Sequence, residues 1–132
     1  MGVKGSNYGG DDRLILVAPS DIATAAAEQL TTSAPAQTVR YAASADHTAN
    51  EIAATLGAVI GKPDLKWVTF TDEQTQAGME QNGMAPHLAG MFVELGAAIH
   101  TGALRRHYDA NKPTTMGQVT LEDFAKEFAT AF

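Results

Sequence analysis

The sequence contains no cysteine, which excludes disulfides, a thiol nucleophile and a thiolate metal site together. Positive charge is scarce as well: 9 Lys and Arg face 15 Asp and Glu, for a net charge of −6. A balance of that sign argues against a nucleic-acid backbone or an anionic membrane as the main partner. The basic residues are scattered, and the adjacent pair Arg105-Arg106 reads as a solvated helix end. Long apolar runs are missing too, since none approaches the roughly 18 residues of a membrane span. The opening MGVKGSNYGGDD lacks the apolar core of a signal peptide. These absences lead to the expectation of a cytoplasmic protein with no nucleic-acid or membrane partner.

What is present suits a globular domain. With 132 residues, 45% apolar and 18% charged, the chain has the size of one domain and enough apolar material for a core. Residues 1–12 read as a flexible lead-in and 13–132 as a single α/β domain. The stretch from Arg13 to Leu30 organises the rest. Leu14-Ile15-Leu16-Val17-Ala18, an unbroken apolar run, predicts a strand covered on both faces. Pro19 follows, and Ser20 or Asp21 suits the N-cap of a helix over 21–31, with Asp21 placing negative charge at its positive end.

After a loop at 31–36, Thr38 to Ala43 alternates, with Val39, Tyr41 and Ala43 on one side, which predicts a second strand. Thr48-Ala49-Asn50-Glu51 is a capping box. Ile52, Leu56, Val59 and Ile60 then form one helical stripe, which Gly61-Lys62-Pro63 stops. Lys66-Trp67-Val68-Thr69-Phe70 predicts a third strand, and Thr71-Asp72-Glu73-Gln74 a second capping box. The helix it opens is polar and ends near Asn82-Gly83. Pro86 suits the first turn of another, in which Leu88, Met91, Phe92, Leu95 and Ile99 make the widest apolar stripe of the chain. Gly90, Gly96 and Gly102 weaken that helix by about 1 kcal/mol each relative to Ala, which points to close packing. Residues 105–119 read as a loop. The last helix opens at Thr120 and carries Leu121, Phe124, Phe128 and Phe132 on one side. This alternation predicts an α/β fold with about three short strands and five or so helices, some strands pairing in parallel.

Motifs for catalysis are missing. Ser20 stands in Ala-Pro-Ser-Asp, not in a Gly-x-Ser-x-Gly elbow. His47, His87, His100 and His107 form no H-E-x-x-H pair and have no carboxylate at ligand spacing, so no metal site is assigned. Asn7, Asp11 and Asp12 lack the spacing of a calcium loop and read as turn residues. Asp72-Glu73 and Glu122-Asp123 fall in helix first turns, where the dipole favours acids. No G-x-G-x-x-G follows a strand. No residue is assigned to catalysis or to cofactor binding.

The order and wording of these segments resemble the C-terminal part of the NmrA-like family of atypical short-chain dehydrogenases/reductases. The resemblance is carried by Val17-Ala18-Pro19-Ser20-Asp21-Ile22-Ala23, by Ala49-Asn50-Glu51-Ile52-Ala53 with Leu56-Gly57 and Ile60-Gly61-Lys62-Pro63, by Trp67-Val68, and by Leu121-Glu122-Asp123-Phe124. It runs from about Tyr8 to Phe132. Full-length members place a dinucleotide-binding half first, so the resemblance implies a partial, substrate-domain unit. NAD(P)H is then expected for full-length relatives and not for this chain alone. The resemblance also implies that 38–43 is the last strand of a large parallel sheet, and that 14–18 and 66–70 pair in a small one. An edge left open in that way is a pairing template, and a homodimer or higher oligomer, or else a strand rearrangement within the monomer, is expected to cover it. In the family the region matching Met84 to Leu95 helps to wall the substrate site. Met84, His87, Met91 and Phe92 are therefore the substrate-pocket candidates, an apolar wall with one polar group. Met91 and Phe92 suit a core stripe better than a pocket wall, and His87 suits either.

Three functions fit this reading. The first is a stand-alone NmrA-like module that self-associates and has no catalysis by itself. The second is the substrate-binding half of an NAD(P)H-dependent oxidoreductase, completed by a separate Rossmann chain. The third is a small-ligand-binding regulatory module.

Overall fold

Local hydroxyl caps set three of the helix starts among the described residues. In the computed structural model, which describes residues 4–33 and 38–131, helices α2 (Ala49–Val59), α3 (Asp72–Gln81) and α6 (Leu121–Ala129) each open with a reciprocal capping box. The caps are Thr48 with Glu51, Thr71 with Gln74 and Thr120 with Asp123. Each box satisfies two backbone donors that the first helical turn leaves unpaired. Helices α1 (Pro19–Thr31) and α4 (Pro86–His100) start on proline instead, and their caps Ala18 and Ala85 make no side-chain hydrogen bond. A short α5 (Arg106–Ala110) lies within the stretch expected to be loop.

Four short strands accompany the six helices among the described residues, an α/β architecture as expected. Strand pairing differs from expectation. β1 (Lys4–Ser6), inside the expected lead-in, pairs in parallel with β4 (Trp67–Thr69). β2 (Arg13–Leu16) pairs antiparallel with β3 (Ala45–Thr48), Arg13 opposite Thr48 and Leu16 opposite Ala45. Residues 38–43 are not a strand; the pairing segment begins two residues later, in a sequence with no apolar alternation. The predicted partnership of 14–18 with 66–70 is absent, and each of the two strands has another neighbour. The run at 14–18 is half-buried, not covered on both faces, because a two-stranded ribbon offers it only one covered side.

The core is built of small residues. Ala43, Ala49, Ala53, Leu56, Ala89, Tyr108, Leu121 and Ala125 are the buried apolar residues described. α2 packs on α6, and α3 on α4. Alanines let these helices approach closely but remove little apolar area per residue from water. The accessible surface is 8917 Å². A self-contained monomer of 13.9 kDa exposes about 6,700 Å². The chain thus exposes roughly 2,200 Å² more than such a monomer.

Candidate functional site

Polar side chains hold the two strand pairs to the helices. Asp21, in the first turn of α1, accepts hydrogen bonds from Ser44 Oγ at 2.6 Å and from the backbone N–H groups of Gln118 and Val119 at 3.1 Å. The Ser44 hydroxyl, then the Val119 amide, hold its carboxyl below the usual range. Asp21 therefore stands in the first turn as expected but is a pin between distant parts of the chain, while the helix cap is Ala18. Arg105 donates to Asp109 at 2.8 Å and to Asp46 at 3.1 Å, and its hydrogen bond lowers the Asp109 pKa to about 2. Asp12 accepts from Gly9 N–H at 2.6 Å, closing the turn expected there, and lies 2.8 Å from His100 Nδ1. His87 lies exposed on α4. Among the described residues no group of three or more His, Asp or Glu could hold a metal ion.

A cleft of about 500 Å³ opens between β1, the end of β4 and one face of α3. Phe70, Gln74, Thr75, Gly78, Met79 and Met84 are among its lining residues. Positions 74, 75, 78 and 79 share a face because helical neighbours recur at three and four residues. The Thr71 capping box fixes the start of that face, and the turn at Gly83, with φ of 90°, brings Met84 round to the wall.

Of the four residues singled out in the sequence, Met84 lines this cleft, while His87, Met91 and Phe92 line none of the three clefts described. Those three lie exposed along α4. The expectation that Met91 and Phe92 are core is corrected: they remain 61% and 43% exposed, with Leu88 and Leu95 at 40% and 42%. The inward face of α4 is its small-residue side, where Ala89 and Gly96 are buried. Sequence reasoning missed Thr75 and Gly78. The signal available was a glycine in the interior of a polar helix.

No family model and no curated protein matches the chain. Solved structures do. The NADP(H)-complexed triphenylmethane reductase of a Citrobacter species aligns with 97% of this chain and 44% of its own, at a TM-score of 0.76 and 21% identity. A new type of NADPH-dependent quinone oxidoreductase from Escherichia coli aligns with 93% of this chain and 45% of its own, at a TM-score of 0.73 and 20% identity. The chain has part of the fold of such reductases. It spans less than half the length of either. Among the described residues no helix is long and apolar enough to cross a membrane.

Proposed function

We propose that these 132 residues form the substrate-side unit of an NmrA-like, NAD(P)H-dependent oxidoreductase fold, without catalysis on its own. The unit buries the outer face of α4 against a second copy of itself. The observation that carries this reading is the roughly 2,200 Å² of surface beyond that of a monomer of this mass. Leu88, Met91, Phe92 and Leu95 concentrate part of it in one contiguous seam at i, i+3, i+4 and i+7. Apolar patches of that kind are interaction surfaces in folded proteins.

Light scattering across a concentration series tests the self-association. The expected result is a dimer that Leu95→Glu converts to monomer. A monomer at every concentration overturns self-association. It leaves the cover of α4 to a cofactor-binding half, the second reading, which draws on the unmatched remainder of the two reductases. Calorimetry with NADPH tests the other part. No saturable heat is expected, since no phosphate-binding glycine turn follows a strand; micromolar binding by this chain would refute the substrate-side assignment.

A further inference from the structure

Threonine inside a helix ordinarily hydrogen-bonds its hydroxyl to a carbonyl one turn back. Thr24 and Thr31 on α1 do so, donating to Ser20 O at 3.0 Å and Ala27 O at 3.2 Å, as does Thr101 at the C-cap of α4, to Ala97 O at 2.9 Å. Thr75 departs from that habit. The residue is 8% exposed, and its Oγ1 is a buried side-chain polar atom with no partner. Leaving such a group unsatisfied costs about 1–3 kcal/mol, so its position beside a cleft calls for a reason.

The cleft supplies one. Phe70, Met79 and Met84 give it a ring face and two soft thioethers, and Gln74 and Asn82 give it amides. None of its lining residues is charged. Gly78, also lining it, lies one turn from Thr75 on the same helical face. A Cβ built on Gly78 meets nothing within 4 Å. The missing side chain therefore keeps the cleft open, at the loss of helix propensity that glycine brings.

We infer that this cleft binds a small, neutral aromatic molecule carrying one hydroxyl or carbonyl oxygen, with Thr75 Oγ1 as the partner of that oxygen. The uncharged lining selects against ions, because a charge there would have no counter-charge. Methionine and phenylalanine walls favour flat, polarisable rings. Thr75 Oγ1 is buried, so an oxygen in the cleft reaches it only if a neighbour gives way, and Met79, at i+4 from Thr75 in the same lining, has the flexible thioether that suits this. The inference stands independently of the oligomeric and oxidoreductase reading above, since every residue in it belongs to this chain.

The test uses 2-naphthol and naphthalene as probes, followed by amide NMR shifts of the intact chain. 2-Naphthol is expected to saturate with a dissociation constant on the order of 0.1 mM, as its size allows, with the shifts confined to Gly5, Phe70 and α3. Thr75→Val keeps the shape and removes the hydroxyl. It should weaken 2-naphthol about tenfold and leave naphthalene unchanged. Gly78→Leu should abolish both while the melting temperature holds or rises. The inference fails if neither probe saturates. It fails equally if the two probes bind alike and Thr75→Val alters neither.

Discussion

Leu56 on α2 keeps 6% of its surface exposed, whereas Leu95 on α4 keeps 42%, although both belong to apolar stripes of the same helical period. The difference lies in what faces each helix. α2 turns Ala49, Ala53, Leu56 and Gly57 inward against α6, which answers with Leu121 and Ala125. A side chain on Gly57 would meet the backbone of Lys62 and the Cβ of Leu65. α4 turns its small residues inward and is anchored by a buried amide. Asn7 Nδ2 donates to Asp72 Oδ1 at 2.8 Å and to Val93 O at 2.9 Å, tying α3 and α4 to the end of β1. A Cβ on Gly96 would run into that Asn7 side chain. A stripe thus records that a face is apolar, while the partner that covers it is decided elsewhere in space.

The sharpest way to break the comparison is to truncate both leucines. Leu56→Ala should cost about 2–5 kcal/mol, as buried leucines do. Leu95→Ala in the monomer should cost under about 1 kcal/mol, because water already covers much of its side chain. Urea denaturation at low protein concentration measures both. Equal losses would show that α4 is covered under those conditions. If the Leu95 loss also grows with protein concentration, the cover is a second copy.

Asn7→Ala comes next. It removes the amide that joins Asp72 and the Val93 carbonyl, leaving two acceptors in a half-buried site. The expected loss is about 1–3 kcal/mol. Hydrogen exchange should rise first in α3 and α4 while α2 keeps its protection. Uniform loss of protection would mean that the two helix pairs open as one unit.

The starts of α2 and α3 were legible in the sequence because a capping box is made by residues three apart, whereas α1 is capped by Ala18 and not by the expected Ser20 or Asp21. Thr48 with Glu51 and Thr71 with Gln74 stand where expected. The α/β class was legible for a similar reason. Strand pairing was not. Ala45-Asp46-His47-Thr48 has little β pattern of its own and is a strand because Arg13 to Leu16 lie beside it, a contact across some thirty residues of chain. The alternation at 38–43 had no such neighbour. Of the cleft, only Met84 could be named beforehand. Gly78 contributes by having no side chain and Thr75 by an unmet hydrogen bond, and neither leaves a motif.

The smallest expected effect concerns the caps, where the two helices also differ. α2 opens on the Thr48 box, whereas the Ala85 cap of α4 offers no side-chain acceptor. Ala85 has φ of −63° and ψ of 138°, extended values that a serine adopts without strain. Ala85→Ser should therefore add about 0.5–1 kcal/mol by accepting from a free N–H in the first turn, and Thr48→Ala should remove about 1 kcal/mol from α2. Thermal melts of both variants read the two changes. If Ala85→Ser gives nothing, the Leu88 N–H, which already donates to the Ala85 carbonyl at 3.0 Å, leaves the new hydroxyl too little to satisfy.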